Sequence, residues 1–210
     1  VVDQIASQGG TATAEVADVV DPAAVQAMVG RVAAAQGRID ILVNSAGVFY
    51  PTPVGSTPAA ELDRMIDINL KGSFHTISAV APHMRAGGGG TIVNISSCAG
   101  VMGLGGYSVY CATKAAIIMM TRTLAIELAP HGIRVNAIAP GNTETPMNLD
   151  IRTRPELAPF LDAMAARTPS GRTYSTPEDM AGLIAFLASD AARAMHGATV
   201  LMDEGFSAGL

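Results

Sequence analysis

The sequence predicts an α/β fold with a doubly wound parallel sheet, on three observations. Segments of helical and of β-branched character alternate along most of the 210 residues, the pattern of a parallel sheet with helices on both faces. Short unbroken apolar runs such as DILVN at 40–44 suit strands buried on both sides. Four candidate motifs, at Asp18, Asn44, Ser97 and Pro140-Gly141, fall at or just past the carboxyl ends of expected strands. Ligands bind along that edge in open α/β sheets.

Each element has its own warrant. Residues 1–7 read as the end of a helix, stopped by Gly9 and Gly10 as helix C-terminal glycines do. Residues 11–19 alternate and are rich in β-branched side chains, which predicts a strand. Asp21-Pro22 supplies an acidic cap and a first-turn proline for a helix running to about Ala35. Residues 40–44 are the next strand. After a loop at 47–58, a long helical region runs to about Arg85, interrupted near Gly72. Residues 91–97 form a strand, 107–129 a helix, and 133–139 another strand closed by Pro140-Gly141. Residues 145–176, with Pro146, Pro155, Pro159 and Pro169, are expected to be irregular, a long loop of the kind that serves as a lid. Thr176, Pro177 and Asp179 nearly match a capping box and open a helix to about Ser189. Residues 197–202 are the last strand.

Composition narrows the function. The chain is 49% hydrophobic and 15% charged, as a densely packed globular protein is. Its net charge is -5 with no basic block, so it lacks a nucleic-acid footprint. No unbroken apolar run approaches the ~18 residues of a membrane span, and no signal peptide is expected. Cys98 and Cys111 are the only cysteines, and the four histidines are scattered. No metal site is expected, and two reduced thiols suit a cytoplasmic protein.

The chemistry concentrates in 91–129. Ser97 ends a strand, Tyr110 follows thirteen residues on, and Lys114 lies four beyond. Residues four apart share a helix face, so phenol and ammonium can enter one pocket. A nearby cation favours the phenolate, and Lys114 is expected to bring Tyr110 towards neutrality as a general acid/base. Taken alone, a Tyr–Lys pair is more often an exposed helix pair, and Ser97 a strand-end cap.

These residues resemble the short-chain dehydrogenase/reductase family, whose fold is Rossmann-like. Ala17-Asp18-Val19, the run from Gly37 to Gly47 containing Asn44-Ser45-Ala46-Gly47, Asn69 within Ile68-Asn69-Leu70, Ser97, the Tyr110–Lys114 pair, and Pro140-Gly141 with Thr145 carry the match. The resemblance covers nearly the whole chain. It departs at Ser45, where the family has a second asparagine, and at Asp203-Glu204-Gly205, where many members have Asp-Gly-Gly.

The resemblance implies hydride transfer between NAD or NADP and a secondary alcohol or ketone. Tyr110 would be the acid/base, Lys114 its cationic partner, Ser97 the substrate-oxygen ligand, and Asn69 the anchor of a proton relay. Asp18 and Val19 would meet the adenine. Asn44, Ala46 and Gly47 would pass close to the ribose, with Ile95 nearby. Pro140, Gly141, Thr143 and Thr145 would hold the nicotinamide end, Thr145 being the better candidate for the carboxamide. Met102, Leu104 and the stretch 146–173 would line the substrate pocket. The first two suit an apolar substrate, whereas Arg152, Arg154, Arg167 and Arg172 of the lid could instead read a carboxylate or phosphate. Gly100, Gly103, Gly105 and Gly106 belong to that pocket, not to a phosphate cradle. The family opens with a strand, a glycine-rich turn and a second strand that these 210 residues lack, so a single, N-terminally incomplete domain is expected and the choice of NAD or NADP stays open. The family also implies a homo-oligomer, tetramer or dimer. Two alternatives remain: a non-catalytic relative acting as a binding or scaffold protein, or an epimerase or dehydratase of related fold, which usually carries a larger carboxyl-terminal domain.

Overall fold

The computed structural model describes residues 1–208. Its centre is a four-stranded sheet of β1 (Ile41–Asn44), β2 (Gly90–Ile95), β3 (Ile133–Pro140) and β4 (Thr199–Met202), parallel throughout and in the order β1-β2-β3-β4. Asn44 pairs with Asn94 and Ile95 with Ile138. The helices are α1 (Val2–Ser7), α2 (Pro22–Gln36), α3 (Ala59–Ile66), α4 (Ser73–Ala86), α5 (Ser108–Leu128), α6 (Leu149–Thr153), α7 (Ala158–Arg167) and α8 (Pro177–Ala188).

Successive strand side chains point to opposite faces, and β2 shows the result. Ile92 packs with Val25 and Val29 of α2, Val80 and Met84 of α4, and Leu124 and Leu128 of α5. Its neighbour Val93 packs on the other face with Met180 and Leu187 of α8. The sheet is therefore covered on both sides, as the sequence predicts. The caps also form as read. Asp21 accepts the Ala23 and Ala24 amides, and Thr176 and Asp179 complete a capping box.

Three local expectations are corrected and one is qualified. Residues 11–19 are not a strand: no described strand lies beside them to complete a ladder, and Val16 is 93% exposed. β1 is an edge strand, so Ile41 and Val43 are exposed on a run expected to be buried. Residues 145–176 are not simply irregular, since prolines at helix starts there open α6 and α7 through short 3-10 turns. Finally, Ser108–His131 is long and apolar enough by composition to cross a bilayer, although no unbroken apolar run suggests it. Its inner side carries buried Thr113, Lys114 and Thr121 against the sheet, which makes it a core helix here.

A polar seam crosses the sheet. Asn44 Nδ2 donates to Asn94 Oδ1 at 3.0 Å, Asn94 Nδ2 donates to Thr121 at 2.9 Å, and Thr76 Oγ1 donates to Asn44 Oδ1 at 2.6 Å. These buried groups satisfy one another, as buried polar atoms must. They tie α4, β1, β2 and α5 into one register beneath the carboxyl edge.

Candidate active site

β2 runs out at Ile95, and the chain turns over the start of α5. Ser96 is the hinge pin: its amide donates to Ile138 O and its hydroxyl to Lys114 O, both at 2.8 Å. Ser97, in extended backbone, caps the turn Cys98–Gly100 by accepting the Ala99 amide. A Cβ at Gly100 would stand 2.9 Å from the Lys114 carbonyl, so only glycine lets the turn lie this close to α5. Lys114, 7% exposed, reaches back to donate to Ile95 O at 2.9 Å. Its ammonium lies 5.7 Å from the centroid of the Tyr110 ring. The Ser97 hydroxyl acts on the Tyr110 phenol, opposing the effect of its burial, and donates to the Pro140 carbonyl at 3.5 Å. Serine, tyrosine and lysine thus converge at the carboxyl edge.

The electrostatics differ from the expectation for Tyr110. Burial pushes the phenol above its ordinary value, with Ser97 opposing, and the ammonium does not reverse this. Lys114 yields instead: burial lowers it to about 8. Removing charge from water penalises the charged form of each group, and at this distance the penalty outweighs their attraction. The phenol is accordingly a proton donor at neutral pH.

Asn69 is 1% exposed and sits in Asp67–Gly72, where the helix between α3 and α4 widens into a π-helical turn. Such turns are frequent at functional sites. Its amide clasps the backbone of Val48, accepting from the amide at 2.7 Å and donating to the carbonyl at 3.0 Å, and it reaches Thr113 at 3.3 Å. This fixes Gly47. A Cβ there would lie 3.3 Å from Asn69 Oδ1 and 3.8 Å from Lys114 Nζ, so the glycine leaves a hollow beside the ammonium.

The residues that would hold the cofactor lie along the same edge. The Asn44 side chain is spent in the seam, which leaves its backbone for contact. Ala46 is exposed and Gly47 half-buried. Ile95 presents its side chain to the core and its carbonyl to Lys114. Gly141 donates its amide to Met202 O, and the Pro140 carbonyl faces Ser97. The Thr145 amide is taken by Asn148. Thr143 Oγ1, by contrast, is buried with no partner among the described residues. An orphaned hydroxyl beside the sheet edge and a glycine hollow beside Lys114 fit a nicotinamide ribose and carboxamide, with Thr143 offering a free buried hydroxyl two residues before Thr145. Asp18 folds its carboxylate onto the Val20 amide, while Val19 is held by His75.

The site has an aromatic wall that sequence reasoning missed. Phe49 stacks on Tyr107 with centroids 4.6 Å apart and meets Tyr110 edge-on at 4.8 Å. The buried Thr52 joins the loop behind Phe49 to Gly106 O. The available signal was the Val48-Phe49-Tyr50 run directly after Gly47 in a chain only 4% aromatic. Met102 is half-buried and Leu104 is 39% exposed, and the Leu104 carbonyl accepts the Tyr107 amide. Two surface cavities lie elsewhere, one at the amino ends of the strands and one on the outer face of α5.

A parallel α/β sheet with serine, tyrosine and lysine converging at its carboxyl edge, beside a fitting nicotinamide site, defines an NAD(P)-dependent oxidoreductase acting on alcohols and ketones. The family described as enoyl-(acyl carrier protein) reductase matches residues 1–207. Cis-4-hydroxycyclohexanecarboxylate dehydrogenase of Sinomonas cyclohexanicum is 41% identical over 192 residues, 91% of this chain and 75% of that one. The 3-oxoacyl-[acyl-carrier-protein] reductase of Thermotoga maritima is 40% identical over 90% of this chain and 75% of its own length. The structure of a gluconate 5-dehydrogenase from Burkholderia cenocepacia, in complex with NADP and tartrate, superposes with a TM-score of 0.93 at 33% identity, covering 100% of this chain and 80% of that one. The chain belongs to the short-chain dehydrogenase/reductase family.

Proposed function

We propose that Tyr110 exchanges a proton with the substrate oxygen, that Ser97 holds that oxygen, and that Lys114 and the Thr143 hydroxyl hold the nicotinamide end of the cofactor. The observation that carries this is the convergence of the Ser97 hydroxyl, the Tyr110 phenol and the buried Lys114 ammonium at one strand end. The bound nicotinamide supplies the hydride acceptor or donor. The protein's own part is to place the phenol proton on a carbonyl oxygen, or remove it from an alcohol, and to keep water from the reacting carbon. Asn69 acts from behind by fixing Val48 and Gly47.

The aromatic wall of Phe49 and Tyr107 supports a flat or cyclic apolar secondary alcohol or ketone as substrate. Following nicotinamide absorbance over a panel of cyclic and linear secondary alcohols tests this. Turnover with the cyclic members supports it, and turnover restricted to charged or highly hydroxylated substrates refutes it.

A homo-oligomer, dimer or tetramer, belongs to the same proposal. It is supported by the outer face of α5, where Met119 and Ile126 are 58% and 78% exposed. A light-scattering mass equal to one chain would count against it. A cytoplasmic location is supported by the two unpaired thiols, Cys98 and Cys111.

A further inference from the structure

Glu204 stands where the family resemblance leads one to expect glycine, and its backbone shows the consequence. It is the only non-glycine residue with positive φ, at 60°, among the described residues. A side chain in that region is strained, and such strain persists only when the surroundings hold it. What holds it is visible. The Glu204 carboxylate takes Arg172 in a two-point pair, Nη2 at 2.5 Å and Nε at 3.2 Å, and accepts from Ser175 Oγ at 2.7 Å. Two-point arginine–carboxylate pairs are the geometrically specific ones. The Glu204 side chain is only 12% exposed while that of Arg172 is 54% exposed. Solvent therefore weakens the ion pair itself, and the buried Ser175 contact is the sheltered half of the arrangement. Arg172 also approaches Asp179 of α8 at 3.8 Å.

Ser175 is the link onward. It is 2% exposed and forms a parallel bridge with Thr143. Its amide donates to Asn142 O, and its carbonyl accepts from the Glu144 amide. The carboxylate at the end of β4 thus grips the residue that brackets Thr143 on both sides.

We propose that Glu204 is a positioning residue: with Arg172 and Ser175 it latches the far end of segment 145–176 to the end of β4, and so sets the loop carrying Thr143 and Thr145 against the nicotinamide. This rests on the reading of those threonines as cofactor-facing. The latch exchanges an easy left-handed glycine for a strained glutamate whose side chain reaches what a glycine cannot.

The test compares Glu204→Gly with the unaltered chain by hydrogen exchange without cofactor. Loss of the carboxylate should accelerate exchange across 142–148 and 170–176 by about tenfold or more while β2 and β3 are unchanged. The thermal midpoint should change little, because relief of the backbone offsets the loss of the Arg172 pair and of the Ser175 acceptor. Glu204→Asn, which also tolerates the left-handed region, should lose the latch in the same way. Glu204→Gln, which keeps an acceptor for Ser175, should fall between. In turnover, Glu204→Gly should raise the cofactor KM about fivefold with kcat little changed. Unchanged exchange in 142–148 overturns the latch, and faster exchange with an unchanged cofactor KM overturns the positioning role. Absence of turnover by the unaltered chain would count against the reaction assigned above and not against the latch, which exchange decides alone.

Discussion

Two cations sit at opposite ends of the same sheet. At the amino end, Arg134 of β3 spreads its guanidinium over Thr91 Oγ1 and the carbonyls of Leu187, Ser189 and Ala192, at 2.8 to 3.1 Å. At the carboxyl end, Lys114 is more deeply buried and has one acceptor among the described residues, Ile95 O. An ammonium carries three donors, so Lys114 keeps hydrogen-bonding capacity that Arg134 has spent. Burial accordingly lowers Lys114 to about 8. A caged cation is a structural clamp, whereas a desolvated, under-partnered one is prepared for a ligand. The amino edge holds the fold together, and the carboxyl edge keeps its bonds in reserve.

The sharpest way to break that contrast is to remove the group Lys114 serves. Tyr110→Phe should reduce turnover by roughly 10³-fold or more, within or beyond the range ascribed to a positioned acid/base, and leave cofactor affinity nearly intact by fluorescence titration. Retained turnover would reduce the carboxyl-edge cluster to packing. Because burial raises the phenol, ketone reduction should hold up at neutral pH and fall in alkali, while alcohol oxidation should climb as the phenol is deprotonated.

The second effect is thermodynamic. Lys114 titrates near its ordinary value when unfolded and at about 8 when folded. Between those values the unfolded chain binds the extra proton, so this group's contribution to stability rises with pH. Below about 8 both states are charged and the desolvation cost stands in full. The stability difference between the unaltered chain and Lys114→Met should therefore shift in favour of the unaltered chain by on the order of 3 kcal/mol as pH rises from about 8 to about 10.5. Urea melts across that window measure it. A flat difference would show that the ammonium is hydrated and the contrast with Arg134 is false.

The sequence made the carboxyl edge readable and left much of the rest opaque. Tyr110 and Lys114 were legible because helical spacing is local, and the Asp21 and Thr176 caps because three residues decide each. What required partners far along the chain was not legible. Residues 11–19 carry strand-forming side chains, yet a strand exists only with a neighbour. The Asn44–Asn94 seam joins residues 50 positions apart, and the Phe49–Tyr107 stack joins two separate loops. The direction of the Tyr110 shift was misjudged for the same reason: a pairwise argument sees the ammonium and not the burial. Glu204 read as a neutral departure because its partner Arg172 lies across the lid.

Arg134→Met tests the structural end. It leaves the Leu187 carbonyl and Thr91 Oγ1 without this donor, while the Ser189 and Ala192 carbonyls keep the amides of Ala192 and Met195. A buried acceptor left unpaired costs about 1–3 kcal/mol. A loss of about 2 kcal/mol overall would lower the thermal midpoint by roughly 4–8 °C in a chain of this size. Turnover per folded molecule should be unchanged. A fall in kcat without a fall in midpoint would invert the comparison.

The smallest expected effect belongs to the segment that neither edge organises. Residues 11–19 are held by Glu15 pairing with Arg31 of α2, by His75 on the Val19 carbonyl, and by Val19 lying over Gly72. Arg31 and Glu15 are 53% and 33% exposed, and ion pairs this open contribute little, because solvent and side-chain entropy offset them. Arg31→Ala should move the midpoint by less than about 2 °C. The amides of 11–17, which have no ladder partner, should exchange orders of magnitude faster than those of β2, as expected where backbone groups are solvent-exposed. Protection of 11–17 comparable to β2 would mean that this segment has found a strand to pair with, and the open flank of β1, where Ile41 and Val43 stand exposed, would be the first place to look for it.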